Sequence, residues 1–403
     1  MRIELLNTGS ELILGFTANT HLAHIAARLA ELGLQLNRQS TVADDRAEMR
    51  AAVAESLARA DVLLITGGLG PTQDDVTRDV VAELLNRSLV PDAVVAAAIA
   101  ERYRQRNLKL PDTINVQALV PTGARVLLNA HGTAPGLVID HGGKLVVLLP
   151  GPPRELRPMF DAQVMPLLKP YATTRVCRKF KTVCVPESLV EAKTAPALAD
   201  LPAIEIGYCA RPGEVEVRLI ANSQSQMADA EQRLRAALGD IIIGDGESRL
   251  EEVVIQRCAS SAKTIATAES CTGGLIAHRL TNVSGSSAVF LNGWITYSNA
   301  AKQRDLGVRA ATLEQFGAVS EPVAREMAEG ARQRSGADYA LSVTGIAGPT
   351  GGTPEKPVGL AFIGLASPIG TIIRCHHLAF DRETFKFFVS QTALDMLRRE
   401  LMK

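Results

Sequence analysis

A serine and a cysteine stand side by side in ATAESCTGG, residues 266–274, after an acid and before a threonine and two glycines. Either side chain could attack an electrophilic carbon. Ser270 falls where the apolar run KTIATAE ends as a strand and a helix begins, so its side chain projects from a sheet edge. The N–H groups of Cys271, Thr272, Gly273 and Gly274 are then expected in the first helical turn, without intrahelical partners. Such donors suit an oxyanion, and the glycines admit a substrate closely. The same position also suits an N-cap serine, the commonest role of that residue at a helix start. A serine nucleophile needs a base. Lys302 and Tyr297 follow in WITYSNAAKQRDLGV, residues 294–308. A lysine desolvated beside the serine can take its proton, and a tyrosine can orient or relay it. Taken singly, Lys302 reads equally as an exposed helix lysine and Tyr297 as an aromatic packed at a strand edge. His278 is expected to face away from the serine. Cys271 remains the rival nucleophile, since thiols are intrinsically stronger.

A second constellation is TGGLGPTQDDVTRD, residues 66–79. Gly67, Gly68 and Gly70 can take positive φ and bring backbone N–H groups close to a ligand, and a helix start beyond them favours anions. Asp74 and Asp75 would repel phosphate unless a cation lay between. Glycines beside paired carboxylates therefore suggest phosphate held through Mg²⁺ or a similar hard cation. The alternative is a tight turn with a solvated, helix-capping Asp pair. The stretch is neither a Walker A loop nor a G-x-G-x-x-G fingerprint.

Both constellations need strands and helices to hold them. In the first third, RIELLNTG and DVLLITGG read as strands. HLAHIAARLAELG reads as a helix with Leu22, Ile25, Ala26, Leu29 and Leu32 on one face, and AEMRAAVAESLARA and DDVTRDVVAELLN as two more. Alternation of this kind predicts a parallel sheet covered by helices. KLVVLLPGPPREL adds a strand, a rigid turn and a helix start. RKFKTVCV, AIEIGYCA and EVEVRLIA are short strands of a small α+β module, with helices at ESLVEAKTAPALA and QMADAEQRLRAALG. GDGES, 244–248, reads as a linker. Beyond it, strands at KTIATAES, ADYALSVTGIAGP and VGLAFIGLAS and an amphipathic last helix, DRETFKFFVSQTALDMLRREL, form a third α/β unit. The expected domains are 1–170, 171–245 and 246–403.

The chain has 403 residues, too many for one ordinary core. Lys plus Arg equals Asp plus Glu at 43 each, a balance that gives no reason to expect nucleic acid or an anionic membrane as the main partner. None of the six cysteines forms a C-x-x-C pair, and no apolar run is long enough to span a bilayer. With no signal peptide seen, a cytoplasmic protein with reduced thiols is expected.

The motifs carry a resemblance. GSELILG, TGGLGPTQDDVTRD, GTAPG and LPGPPREL stand in the order found in the molybdopterin-binding-like domain of the CinA (competence/damage-inducible protein) family. The resemblance implies a metal-dependent ADP-ribose pyrophosphatase yielding AMP and ribose 5-phosphate, with a divalent cation and in some versions a monovalent one. Carried over by motif, Glu11, Gly67, Gly68, Gly70, Thr72 and Thr77 would line the nucleotide site, with Asp74 and Asp75 on the metal and Gly132, Thr133, Pro135 and Gly136 nearby. His21, in NTH where many relatives have NTN, would alter nucleotide contacts or simply begin a helix. The middle module resembles a K homology-like domain but has no clear G-x-x-G loop for nucleic acid. Glu187, in its VPES segment, could reach a neighbouring active site; a spacer or dimerisation element is the alternative.

TAESCTGG, GWITYSNAAK, SVTGIAGPTGGTPEKPVG and FDRETFK are similar to the CinA C-terminal domain, a nicotinamide mononucleotide (NMN) deamidase that needs no cofactor. That likeness implies Ser270 as nucleophile, Lys302 as base and Tyr297 assisting. It also implies a substrate site of Cys271, Thr272, Gly273, Gly274, Asn299, Thr344, Gly345 and Arg382. The glycine-rich loop TGIAGPTGG would approach phosphate or ribose, and Arg382 would pair with the 5′-phosphate. The joint expectation is a homodimeric two-activity protein of pyridine nucleotide salvage. Its alternatives are an N-terminal domain that only binds a pterin or nucleotide and regulates, and a competence-related DNA-processing accessory.

Overall fold

The strand Val62–Thr66 is buried at every position, as a strand covered on both faces must be. In the computed structural model, which describes all residues except Pro111 and Pro202 and only the backbone of 112–114, it lies inside a six-stranded sheet. The strands run in the order Leu36–Val42, Ile3–Thr8, Val62–Thr66, Lys144–Leu149, Gly136–His141, Arg125–Leu127. Side chains alternate between two cores. Leu6, Leu63, Ile65, Val146 and Leu148 enter one, and Leu5, Val62, Leu64, Val147 and Leu149 the other.

The first four strands are parallel, as expected, but the two remaining pairings are antiparallel, so Gly136–His141 runs against the rest. The reason is the two-residue connection Gly142–Gly143, both at positive φ (56° and 77°). It closes a hairpin, and strands so joined cannot run parallel. The helix His21–Glu31 buries His21, Ile25 and Leu29. Leu22, expected on the core face, is 38% exposed because the apolar face is rotated toward His21.

The chain divides into two compact units, Met1–Cys177 and Arg178–Lys403. The second contains two sheets. One has four strands in the order Glu205–Arg211, Glu214–Ala221, Val176–Val183, Ile242–Asp245. Its last strand takes up the start of the stretch expected to be a linker. The other has five strands in the order Phe290–Ile295, Ile265–Glu269, Tyr339–Gly345, Leu360–Ser367, Gly370–His377. Three are parallel and the last two antiparallel.

The closing helix Arg382–Glu400 is not amphipathic along its length, since every residue from Val389 to Arg398 is buried. Burying Arg398 is possible because Asp395 accepts from it and from Arg399. The same helix reaches the four-stranded sheet, where Gln391 Nε2 donates to Glu214 at 2.9 Å. Among the described residues no helix is long and apolar enough to cross a membrane.

Candidate active site

The strand Ile265–Glu269 hands the chain to Ser270, whose N–H still donates to Val343 O at 2.9 Å. The turn that follows is fixed from inside. Glu269 is fully buried, and its carboxylate accepts from the N–H groups of Gly274, Ile276 and Ala277 at 3.1, 3.0 and 2.8 Å. An acidic side chain at a helix start satisfies orphan donors and suits the dipole. Gly273 and Gly274 take φ of 62° and 95°, which suits glycine.

The turn differs from expectation in one respect. The helix begins only at Leu275, and Gly273 N–H and Gly274 N–H are already committed, to Ser270 O and to Glu269. The N–H groups of Cys271 and Thr272 are not tied to an oxygen in this way; both face the Cys271 sulfur, a weak acceptor that an oxyanion could displace.

Lys302 comes from the helix Asn299–Leu306, which Ser298 caps by accepting from Ala301 N–H at 3.1 Å. The helix carries the amine inward. Lys302 is 1% exposed, with Nζ 3.0 Å from Ser270 Oγ and 2.7 Å from Thr296 O. Among the described residues no carboxylate pairs with it, and burial pushes its pKa below the ordinary lysine value. A neutral amine here can accept the serine proton.

Cys271 points elsewhere: its Sγ lies against Gly345, 3.1 Å from where a Cβ would stand. Burial pushes its thiol up to about 12, so it stays protonated at neutral pH.

A cavity of about 260 Å³ opens over the pair. Cys271, Tyr297, Thr344, Gly345 and Arg382 line it with Ser270 and Lys302. Tyr297 is 64% exposed, and its hydroxyl accepts from Arg382 at 3.1 Å rather than bonding to Ser270 or Lys302. Its hydroxyl thus stands beside the arginine. Arg382 also donates to Gly348 O at 2.8 Å. Thr344 donates to Ala318 O at 2.8 Å. Asn299, Thr272, Gly273 and Gly274 are not lining residues; Asn299 is exposed at the start of its helix. His278, also exposed, bonds to Asn282.

In the first unit a cavity of about 350 Å³ is lined by Glu11, Asp44, Asp74, Asp75 and Glu155, and by no lysine or arginine among the described residues. Gly67, Gly68, Gly70 and Thr133 complete much of its wall. The glycines are required. A Cβ would fall 2.6 Å from Thr8 O at Gly67, 2.1 Å from Thr77 Oγ1 at Gly68 and 2.3 Å from Asp75 Oδ2 at Gly70. Thr77 is buried behind the loop, its Oγ1 3.4 Å from Thr8 Oγ1, and Thr72 lies beside the cavity, donating through N–H and hydroxyl to Asp75. Asp44 and Ser10 exchange hydrogen bonds of 2.8 and 3.1 Å, which fasten the short helix bearing Glu11.

Gly136 packs within its strand against Met159 and does not line the cavity. His21 does begin a helix, and its Nε2 bonds to Gly151 O at 2.7 Å while burial holds its pKa down. Glu187 opens the helix Glu187–Leu198 in the second compact unit and is exposed.

Among the described residues no group of three His, Cys, Asp or Glu is already gathered to hold a metal. A carboxylate-lined cavity without basic residues nevertheless fits a hard cation that keeps several waters and takes further oxygens from a phosphate. Asp74 and Asp75 would hold it. Asp44, Glu155 and, in the other site, Glu269 were not picked out from the sequence. Glu155 and Glu269 stand inside the motifs LPGPPREL and ATAESCTGG without a role read for them, whereas Asp44 comes from a segment with no motif.

Fold and sites together define an α/β protein with a molybdopterin-binding-like first domain and a separate serine–lysine cavity. Residues 4–170 match the family described as probable molybdopterin binding domain, and residues 247–401 the CinA C-terminal domain. A CinA-like protein of Akkermansia muciniphila is 44% identical over 400 residues, covering 98% of this chain and 96% of its own. One of Kosmotoga olearia is 41% identical over 409 residues, covering 100% and 99%. The crystal structure of competence/damage inducible protein CihA from Agrobacterium tumefaciens is 42% identical, covering 39% of this chain and 98% of its own, with a TM-score of 0.37. The chain belongs to the CinA family.

Proposed function

We propose that the serine–lysine cavity hydrolyses the amide of NMN to nicotinate mononucleotide and ammonia. The observation that carries this reading is the 3.0 Å approach of a buried, unpaired Lys302 amine to Ser270 Oγ. As Ser270 Oγ bonds to the amide carbon, its proton passes to the neutral Lys302 amine. The carbonyl electrons move onto oxygen, which the N–H groups of Cys271 and Thr272 can receive. When the carbon–oxygen double bond reforms, ammonia leaves with the proton returned by Lys302, and an ester of Ser270 remains. Water then attacks that ester, giving its proton to Lys302, and the carboxylate product departs as the serine is reprotonated. Arg382, presented at the cavity mouth by Tyr297 and Gly348, suits the 5′-phosphate. Ammonia release from NMN by the purified chain tests the reading, and its absence would refute it.

For the first unit the supported reading is a metal-dependent pyrophosphatase acting on ADP-ribose. A divalent cation would neutralise the diphosphate and polarise the bond to be cleaved. The chain's own part is to hold that cation with Asp74 and Asp75 and to bring the glycine-loop backbone against the phosphates. Release of AMP from ADP-ribose only when a divalent cation is supplied tests it.

A further inference from the structure

Beside the acidic cavity lies a smaller one of opposite charge. It encloses about 180 Å³, and Arg102, Arg106, Arg154, His131 and Tyr103 line it. Thr133 and Glu155 are shared with the acidic cavity, so the two are neighbours across one wall.

The wall is held firmly. Asn129 Oδ1 accepts from the N–H groups of His131 and Gly132 at 2.9 and 2.7 Å, and Asn129 Nδ2 donates to Glu155 at 2.8 Å. A Cβ on Gly132 would come within 1.8 Å of the Glu155 carboxylate.

Three arginines face one carboxylate among the described lining residues. Arg102 donates to Ala130 O at 2.8 Å, yet its Nε is buried with no partner. Arg154 sits in the first turn of the helix Pro153–Met159, where the dipole opposes positive charge. Its Nε stands 3.8 Å from Glu155. Arg106 enters no ion pair among the described residues. Glu155 thus pairs with one arginine of the three, and the charges of Arg102 and Arg106 are left without a carboxylate partner among the described residues.

We propose that the basic cavity is a phosphomonoester subsite. Guanidinium forks match phosphate oxygens, and the cavity has room for a phosphate and part of a sugar, not for a whole nucleotide. The proposal deepens the reading of the first unit and rests on it for the ligand in the acidic cavity. The subsite itself stands on the arginines.

The test is calorimetric titration of the full chain with ribose 5-phosphate and with ribose, with chelator in place of any divalent cation. An Arg382→Ala background keeps the C-terminal cavity from contributing. Ribose 5-phosphate is expected to bind, to be displaced by inorganic phosphate and to weaken with salt, whereas ribose does not bind. Arg106→Glu with Arg154→Glu, both at exposed positions, should weaken binding by about tenfold or more. No binding at millimolar ligand, or binding indifferent to the arginine substitutions in a chain that still melts normally, overturns the proposal. Loss of ADP-ribose cleavage on Asp75→Asn bears on hydrolysis alone, so the two readings fail separately.

Discussion

Thr296 holds Lys302 by its backbone carbonyl, 2.7 Å from Nζ, on the same amine that stands 3.0 Å from Ser270 Oγ. One N–H is thereby directed at the backbone, and loss of a proton from the amine would leave a lone pair to face the serine. Two outcomes follow for Lys302→Met. Deamidation should fall by about a thousandfold or more, while melting temperature at neutral pH should rise by about 2–4 °C. The sign comes from linkage. The native lysine has a lowered pKa, so between that value and the ordinary one the unfolded chain holds more protons, and stability rises with pH. Below the native pKa the full penalty for a buried ammonium applies, and methionine removes it. In the unsubstituted protein the deamidation rate should climb as pH rises through the Lys302 pKa. Rates and melts across pH check both; a Lys302→Met protein with ordinary turnover would eliminate the lysine as base.

Ser270 and Cys271 are adjacent, but the thiol is buried and protonated while the hydroxyl meets the amine. Ser270→Ala should abolish ammonia release. Cys271→Ala should keep most of it and lose about 1 kcal/mol of stability through a small core void. The opposite ranking in paired assays would move the nucleophile to sulfur.

Arg382 is fixed by Gly348 and Tyr297 without a carboxylate partner among the described residues. Arg382→Ala should raise KM for NMN by about 10–100-fold, with a far smaller change in kcat. Tyr297→Phe, which removes only the acceptor, should raise KM more modestly. A fall in kcat from Tyr297→Phe with KM unchanged would instead put the phenol in the proton path.

Asp75 both faces the acidic cavity and receives two hydrogen bonds from Thr72. Asp75→Asn retains an oxygen for Thr72 and removes the charge. Its loop should persist, metal-dependent ADP-ribose cleavage should drop by about a hundredfold or more, and deamidation should be untouched. Chelation should likewise stop cleavage of ADP-ribose alone.

The sequence made Ser270, Lys302 and Arg382 visible because each stands in a stretch where residue type and neighbours narrow its role. It did not show what holds them. Glu269 grips three backbone N–H groups, and backbone partners leave no mark as residue types. Tyr297 was legible as an aromatic near the site, but its direction depends on how its strand leaves the sheet. Asp44 reaches the acidic cavity from a segment with no pattern of its own, and Glu155 from LPGPPREL, where its direction depends on how the helix after the turn is set. The reversal of the strand Gly136–His141 was readable in HGGK, whose paired glycines signal a hairpin. Long buried runs such as VLLIT were unambiguous because burial on both faces demands them.

The bond between Gln391 and Glu214 has a practical corollary. Gln391 also accepts from Arg279, on the helix that follows Ser270, and Arg279 pairs with Glu251. A shortened chain starting after residue 246 would discard Glu214 and strip one member from this relay. The natural place to cut, for anyone isolating the portion that bears the serine–lysine cavity with its scaffolding whole, is near 178.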